Sequence, residues 1–246
     1  MHTLFISDLH LSPNQPEITA SFIQFMREDA PKADALYVLG DLFDFWIGDD
    51  DPTPFAQQIK AEFYQLSQKG VACYFTKGNR DFLIGKKFAK ETGFHLLPDE
   101  AVIDLYGRKA VILHGDTLCT QDTQYLAFRE KVHQPWLQCL FSRLPFALRR
   151  RIVRKVQSDI RGEKQQKSMI IMDVTPSEVI DVMQRYQVDL MIHGHTHRPA
   201  IHQVTLDDNN VKTRIVLGDW YHQSSVLIYS KLTGCSLQSK PLRPNV

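Results

Sequence analysis

Short runs of bulky apolar residues recur along the chain, and each run ends in a small or polar residue. Runs of this length and content are typical of buried β-strands. Segments with a helical pattern lie between several of them, and this alternation predicts an α/β fold built in layers. The predicted strands are 4–7, 36–39, 71–76, 110–113, 190–192, 215–217 and 226–229.

Three helices are predicted between these strands, at 17–30, 54–68 and 176–186. The first has Ile18, Phe22 and Phe25 at helical spacing, and the third begins at a proline followed by a serine, which is a helix start signal. The last strands follow one another without helices between them, so part of the sheet structure is predicted to be antiparallel.

Residues from about 122 to 172 interrupt the alternation of strands and helices with a helical pattern that is rich in arginine and lysine. We interpret them as a helical insertion within one domain that spans 1–246, because 246 residues suit a single large domain with a decorated core.

Composition narrows the class of protein. Apolar residues make up 43% of the chain, and the formal net charge of +1 argues against a nucleic-acid partner. The four cysteines form no CxxC pair, so we expect a reducing, cytoplasmic environment. We also expect no signal peptide, because no basic and then apolar leader opens the sequence, and no apolar run is long enough to span a bilayer.

Five short polar motifs follow the predicted strands. Open α/β sheets bind ligands at the carboxyl ends of their strands, and glycine lets the backbone approach an ion closely. The motifs are Asp8-Leu9-His10, Gly40-Asp41, Gly78-Asn79-Arg80-Asp81, His114-Gly115-Asp116 and Gly194-His195-Thr196-His197.

These motifs combine imidazoles with carboxylate and amide oxygens, and no thiolate takes part. This donor set disfavours a structural zinc site and suits Mn²⁺, Fe²⁺ or a mixed pair. Seven donors exceed what one ion with an open position needs, so they predict two ions that share a carboxylate. Two-metal sites of this kind clamp an in-line phosphoryl displacement. A single histidine or aspartate of this sort is usually structural, but five motifs at strand ends favour metal binding.

The five motifs, from residue 8 to residue 197, resemble those of the calcineurin-like metallophosphoesterase superfamily. The resemblance implies a four-layer αββα sandwich, here with the helical insertion as a lid. It implies that one metal is held by Asp8, His10, Asp41 and His197, and the other by Asp41, Asn79, His114 and His195. Asn79, Arg80 and His195 are the implied catalytic residues.

Arg80 departs from the pattern of many phosphatases in this superfamily, which carry histidine there as an acid for the leaving group. Guanidinium keeps its proton in proteins, but it can stabilise negative charge on a phosphate. A site without a strong acid favours a good leaving group such as a phosphate monoester, whose second pKa is about 6. The sequence therefore favours cleavage of a P–O–P bond, although a role for Arg80 in binding alone, with water as the acid, stays open.

The insertion combines a cluster of large apolar residues with a basic stretch. Such helices are typical of interfacial elements or apolar lids, and together with a phosphate-cleaving core they favour a lipid-bearing substrate. A hairpin that packs on itself and a nucleic-acid arm are the alternatives. The apolar residues are Phe128, Trp136, Leu137, Leu140, Phe141, Leu144, Phe146 and Leu148, and the basic ones are Arg149, Arg150, Arg151, Arg154 and Lys155.

Longer stretches, among them 40–51, 78–83, 114–120, 128–137 and 167–174, resemble the pyrophosphatases of lipid A biosynthesis within this superfamily. The resemblance implies a lipid-bearing nucleotide sugar as substrate, with UMP and a diacylated sugar 1-phosphate as products. It implies two Mn²⁺ per subunit and peripheral contact with the anionic cytoplasmic face of a bacterial inner membrane. We expect a monomer.

The same resemblance implies a set of substrate contacts. Lysines suit the phosphate, and Asp122 suits a sugar hydroxyl or an amide. Ile160 departs from the hydroxyl residue of some relatives, so a polar contact there would have to come from the backbone. The implied contacts are Asn79, Arg80, Asp122, Tyr125, Ile160, Lys164, Lys167 and His195, and the implied acyl-chain lid is Phe128, Phe141 and Leu144.

Three other functions compete with this prediction. A nucleotide or cyclic-nucleotide phosphoesterase would use the same dimetal core, but a small nucleotide needs no apolar insertion. A scaffold that binds only proteins would have lost ligand residues, and none is lost. A nuclease would need a broad basic face, which the near-zero net charge does not favour.

Overall fold

The computed structural model describes residues 1–164, 173–205 and 210–242, without the side chains of 157–164. Eleven strands form two sheets in this part of the chain. The strands are β1 (His2–Ile6), β2 (Ala35–Leu39), β3 (Ala72–Thr76), β4 (Phe94–Leu96), β5 (Glu100–Leu105), β6 (Arg108–Leu113), β7 (Leu190–His193), β8 (Ala200–Thr205), β9 (Val211–Val216), β10 (Gln223–Ser230) and β11 (Gly234–Pro241).

Seven α-helices accompany the sheets in the described ranges. Three of them follow the first three strands, three form the insertion, and the last precedes β7. They are α1 (Pro16–Glu28), α2 (Pro54–Gln68), α3 (Lys86–Thr92), α4 (Thr123–Val132), α5 (Pro135–Arg143), α6 (Phe146–Lys164) and α7 (Pro176–Arg185).

The first sheet has the order β11-β10-β1-β2-β3-β4, in which β1 to β4 are parallel and β10 and β11 are antiparallel to their neighbours. The second has the order β5-β6-β7-β9-β8, in which the three central strands are parallel and both edges are antiparallel. The predicted mixture of parallel and antiparallel pairing is therefore confirmed.

Three apolar clusters separate four layers. One lies between the first sheet and helices α1 to α3, where Leu36 and Val38 pack with Phe22 and Phe63. A second lies between the sheets, where Phe5 and other residues of the first sheet meet those of the second. A third joins the second sheet to α7. The αββα sandwich is confirmed, because alternate residues of each strand serve different clusters.

The parallel strands point their carboxyl ends at one rim of the sandwich. Asp8, Asp41 and Asn79 come two or three residues after β1, β2 and β3, while His114 and His195 follow β6 and β7. The loops are joined by backbone hydrogen bonds from the Asp8 amide to the Gly40 carbonyl (3.2 Å) and from the Gly194 amide to the His114 carbonyl (2.8 Å). The fold thus collects all five motifs at one place.

Four strands were not predicted, and they are the four edges of the two sheets: β4, β5, β8 and β11. An edge strand has only one neighbour and exposes much of its surface, so it lacks the apolar run of a buried strand. In β11, for example, most residues are exposed. The short helix α3 was missed because its seven residues make too few turns to show a period.

Helices α4, α5 and α6 occupy the region of the predicted insertion through Lys164, while residues 165–172 lie outside the described part of the chain. Helices α4 and α5 contain no buried residue. Among the described residues, no helix is both long enough and apolar enough to cross a bilayer.

Arg149 is buried, although the sequence places it in a basic stretch. Its side chain is 1% exposed, and its Nη1 donates a hydrogen bond to the Ile47 carbonyl at 2.7 Å. Its Nη2 also pairs with Asp50. A run of like charges in the sequence does not show which of its members has a buried acceptor. Arg149 ties α6 to the loop that follows Asp41.

Candidate metal centre

The side chains predicted to bind metal lie together at the rim of the sandwich. Two groups have ligand atoms within 4.8 Å of one another: Asp8, His10 and His197, and Asp8, Asp41 and His114. Direct contacts join Asn79 and His195 to the second group. The structure therefore brings together all seven predicted ligands, which are Asp8, His10, Asp41, Asn79, His114, His195 and His197.

One subsite is formed by Asp8, His10 and His197. The Nε2 atom of His197 lies 3.3 Å from His10 Nε2 and 3.3 Å from Asp8 Oδ1. Asp8 Oδ1 and His10 Nδ1 are buried and accept or donate no hydrogen bond. A buried polar atom without a partner is costly, and convergent imidazole and carboxylate atoms are what a divalent cation binds. These residues fit a metal ion.

The second subsite is formed by Asn79, His114 and His195. The Oδ1 atom of Asn79 lies 2.9 Å from His114 Nε2 and 3.1 Å from His195 Nδ1. The two ring nitrogens are themselves 3.3 Å apart. Three donor atoms of types that suit Mn²⁺ or Fe²⁺ therefore converge here.

Asp41 lies between the two subsites. Its Oδ2 is 3.8 Å from His10 Nδ1, and its Oδ1 is 3.8 Å from His114 Nε2. One carboxylate oxygen thus faces each subsite, which is the placement that a bridging ligand needs. Asp8 also lies near both, since it belongs to both groups of converging atoms.

Two imidazole rings are oriented by a hydrogen bond at Nδ1, the ring nitrogen that faces away from the site. His114 Nδ1 lies 2.9 Å from the Leu39 carbonyl oxygen, so the ring donates its proton there and leaves Nε2 free to ligate. His197 Nδ1 lies 3.1 Å from Asp219 Oδ2, which has the same effect. Such outer partners set the tautomer of a metal ligand.

Asp219 was not found from the sequence, although a signal was present. Gly218-Asp219 follows β9 much as Gly40-Asp41 follows β2. The strand prediction at 215–217 ended one residue before this pair, and a further Gly-Asp after a strand is a reason to suspect another residue at the same rim.

Backbone strain is concentrated at this site. Seven non-glycine residues in the described chain have a positive φ, and five of them are predicted ligands: Asp8, His10, Asp41, His195 and His197, with φ between 50° and 70°. The left-handed region costs an L-residue about 1–2 kcal/mol, and such strain clusters at functional sites. These backbone conformations lower the stability of the fold, and they direct the side chains towards the rim.

Asp81 holds two of the ligand loops together. Its fully buried carboxylate accepts backbone hydrogen bonds from Leu42 (2.7 Å), Gly78 (2.9 Å) and Asp41 (3.2 Å). Burial and the charge of Asp41 raise the pKa of Asp81 to about 7. Gly78 is required beside it, because a Cβ there would lie 2.3 Å from the Asp41 amide nitrogen.

Burial and neighbouring charges shift the pKa values of the site residues, in several cases in opposite directions. Burial lowers the pKa of His10 to about 2 and that of His195 to about 4, so both rings are neutral at pH 7, as ligation requires. Burial also acts to lower the pKa of His114, but the charges of Asp41 and Asp8 raise it to about 9. Burial raises the pKa of Asp41. A cation in the site would relieve the repulsion between the two carboxylates.

Arg80 lies at the edge of the cluster. Its backbone amide donates to Asp41 Oδ1 at 2.9 Å, its Nε is 3.6 Å from Asp41 Oδ2, and its Nη1 pairs with Asp44. The side chain is 19% exposed, so the guanidinium borders both the cluster and solvent. Its position allows it to contact a phosphate held at the cluster.

The predicted substrate contacts in the insertion have structural partners. Asp122 is the N-cap of α4, where its Oδ1 accepts from the Tyr125 amide at 3.1 Å. The Tyr125 hydroxyl donates to Asp116, a residue of the His-Gly-Asp motif, and Arg129 Nε also donates to Asp116, at 2.7 Å. Asp116 thereby docks α4 on the core beside His114.

The predicted lid residues are only partly covered. Phe128 is 41% exposed, while Phe141 and Leu144 are half-buried. The side chains of Ile160 and Lys164, and all of Lys167, lie outside the described residues. The roles of these six residues in lid or substrate contacts therefore remain predictions, as do those of Asp122 and Tyr125.

A cleft of about 330 Å³ separates α5 from the loops that follow Asp41 and Asn79. Ile47, Leu83 and Phe141 supply its apolar walls, and Asp49 and Lys87 supply charge. The insertion thus borders a cavity that opens beside the ligand loops.

Comparison with known proteins supplies relatives over the whole chain. A UDP-2,3-diacylglucosamine hydrolase from Vibrio cholerae serotype O1 is 79% identical, covering 98% of both chains. Hydrolases of the same name from Vibrio atlanticus and Aliivibrio fischeri are 63% and 59% identical, covering 94% of this chain and 94% and 95% of their own. A solved archaeal phosphodiesterase covers 98% of this chain at 14% identity and a TM-score of 0.48.

A family model described as calcineurin-like phosphoesterase matches residues 1–199, which include every predicted metal ligand. This match agrees with the four-layer sandwich and with the convergence of the five motifs at its rim. The chain belongs to the calcineurin-like phosphoesterase family.

Proposed function

We propose that this chain hydrolyses the pyrophosphate bond of UDP-2,3-diacylglucosamine to give 2,3-diacylglucosamine 1-phosphate and UMP, a step of lipid A biosynthesis. The observation that carries this proposal is the Vibrio cholerae hydrolase of that name, which is 79% identical over 98% of both chains. The cluster of imidazoles and carboxylates at the rim supports hydrolysis assisted by metal.

The proposed cofactor is a pair of Mn²⁺ ions per subunit. Asp8, His10, Asp41 and His197 would hold one, and Asp41, Asn79, His114 and His195 the other. A bound pair supplies an activated water and charge stabilisation for phosphoryl transfer. The preference for Mn²⁺ rests on the four imidazoles, which suit a softer and less strongly hydrated ion than Mg²⁺.

The residues of the chain would orient the diphosphate. Arg80 is held against Asp41 and Asp44 at the edge of the cluster, with its guanidinium partly open to solvent. A planar cationic fork there can bind phosphate oxygens in pairs and stabilise charge as the P–O–P bond breaks. Asn79 and His195, which meet at 3.1 Å, would position the same phosphate.

The exposed apolar side chains of the insertion support a lipid substrate. Phe128, Trp136 and Leu140 are 41%, 66% and 54% exposed, and Phe141 of the same insertion borders the cleft. Apolar surface of this kind can bind acyl chains and the interface of a bilayer. We therefore propose that the enzyme is a monomer that attaches peripherally to the anionic cytoplasmic face of the inner membrane.

The test is hydrolysis by purified protein with Mn²⁺ of three substrates: UDP-2,3-diacylglucosamine, a UDP-sugar without acyl chains and a simple phosphomonoester. We expect efficient turnover of the first substrate alone, with UMP as a product. Faster turnover of the nucleotide without acyl chains would instead support a nucleotide phosphoesterase. Binding to vesicles of zwitterionic lipid, with and without anionic lipid, measures the membrane contact separately.

A further inference from the structure

Three consecutive residues after β9, here called the 219–221 segment, contact one subsite of the metal centre. The segment consists of Asp219, Trp220 and Tyr221, and it lies beyond residues 1–199, the part matched by the family model. Its contacts reach His197, Asp8 and His10, which are the three residues of one subsite.

Asp219 fixes the ring of His197. Its Oδ2 lies 3.1 Å from His197 Nδ1, so the ring donates a proton to the carboxylate and presents the Nε2 lone pair on its other side. That side faces Asp8 Oδ1 and His10 Nε2, both at 3.3 Å. Without an acceptor at Nδ1, the ring is free to rotate or to change tautomer, and either change removes the lone pair from the site.

Tyr221 fixes the ring of His10. The two rings stack with centroids 5.4 Å apart and planes inclined by 17°. The Tyr221 ring also lies near the His197 ring, with their centroids 6.0 Å apart. A flat, half-buried ring against both imidazoles restricts the planes in which their nitrogens lie.

Trp220 anchors the segment independently of the other two side chains. Its backbone amide donates to the Asp8 carbonyl at 3.3 Å, and its Nε1 donates to the Ser225 carbonyl at 3.1 Å. The indole is completely buried and packs edge-on against Phe25. Substitution of Asp219 or Tyr221 therefore leaves the anchor in place.

We infer that the 219–221 segment holds Asp8, His10 and His197 in ligating geometry and so sets the metal affinity of that subsite alone. Asp219 and Tyr221 act as positioning residues. The other subsite has a separate support, since His114 is fixed by the Leu39 carbonyl. This inference rests on the proposed dimetal site.

The test is a Mn²⁺ titration of chelator-stripped protein by calorimetry, with electron paramagnetic resonance to distinguish a coupled pair from single ions. We expect wild type to bind two ions. In Asp219→Ala one ion should bind 10–100-fold more weakly, the usual cost of losing an outer partner, while the other is unchanged. Asp219→Asn, which keeps one acceptor oxygen, should be intermediate. Tyr221→Ala should weaken the same ion, and Tyr221→Phe should match wild type.

Asp189→Ala is the matched control, because the Asp189 side chain is 75% exposed and its ion pair among the described residues is with Lys212, at 3.6 Å. Two ions bound to Asp219→Ala with wild-type affinity, or equal weakening of both ions, would overturn the inference. If Asp219→Ala does not fold, Asp219→Asn and Tyr221→Ala decide between the same outcomes. A wild type that binds fewer than two ions would instead contradict the dimetal site itself.

Discussion

Arg80 carries the argument for a diphosphate bond, and its contacts define what substitution should do. Arg80→Ala should lower turnover on the order of a hundredfold to a thousandfold if Arg80 is the charge-stabilising donor proposed above. Arg80→Lys should recover only part of this loss, because a point charge cannot replace a bidentate fork. Metal content should not change, because Asp41 meets the Arg80 backbone amide in every variant.

Arg80→His tests leaving-group selection directly. A histidine can protonate a poor leaving group, so this variant should shift preference towards esters of alcohols. The measurement is the ratio of turnover on a diphosphate to turnover on a phosphomonoester. An unchanged ratio alongside an altered rate would show that Arg80 does not select the leaving group.

Asp41 is the residue whose loss should damage the centre most. Asp41→Ala should abolish turnover and reduce bound Mn²⁺ to fewer than two per chain, because its two oxygens face both subsites. Asp41→Asn keeps the shape of the side chain and separates loss of charge from loss of volume. Circular dichroism checks that both variants fold. Near wild-type turnover in folded Asp41→Ala would exclude a bridging role.

At the scale of elements, the insertion should matter for the lipid and not for the nucleotide. Truncation of Phe128 or Phe141 to alanine should raise KM for the diacylated substrate, since burial of a large apolar side chain is worth about 1.5–3 kcal/mol. Leu144→Ala should act in the same direction. The activity of these variants on a UDP-sugar without acyl chains should be little lower than that of the wild type.

Tyr64→Ala is a suitable control for these truncations, because Tyr64 is 50% exposed on α2, outside the insertion. Equal losses on both substrates in the insertion variants would assign their side chains a packing role. Thermal unfolding of each variant distinguishes that outcome from selective loss of lipid binding.

The strands that stand out most clearly in the sequence are buried on both faces. β2 and β7 are buried along nearly their whole length, and each appears in the sequence as an uninterrupted apolar run. The candidate metal ligands stand out in the sequence for a related reason, since each motif that carries them follows such a run within a few residues. The buried state of Arg149 was not predictable, because it depends on Ile47 and Asp50, which lie far away in the chain. Asp219 had a signal in the Gly-Asp pair after β9, but only its contact with His197 shows what it does.

For the whole molecule, chelation should abolish activity and lower the melting temperature. A ligand that binds only the folded state stabilises it by mass action, and here the ions would also offset repulsion between buried carboxylates. Mn²⁺ should restore both properties better than Mg²⁺. Calorimetry and turnover on the same stripped sample measure the two effects together. Full activity in Mg²⁺ alone would contradict the assignment of Mn²⁺.

The position of β1 has a consequence for how the protein is made. This first strand lies inside its sheet, between β2 and β10, so its neighbour β10 is synthesised long after it. At about 5–20 residues per second, a ribosome needs on the order of tens of seconds to pass from Asp8 to β10. During that interval β1 has β2 as a partner on one side and no strand on the other. The sheet that holds Asp8 and His10 can therefore be completed only after β10 has been synthesised.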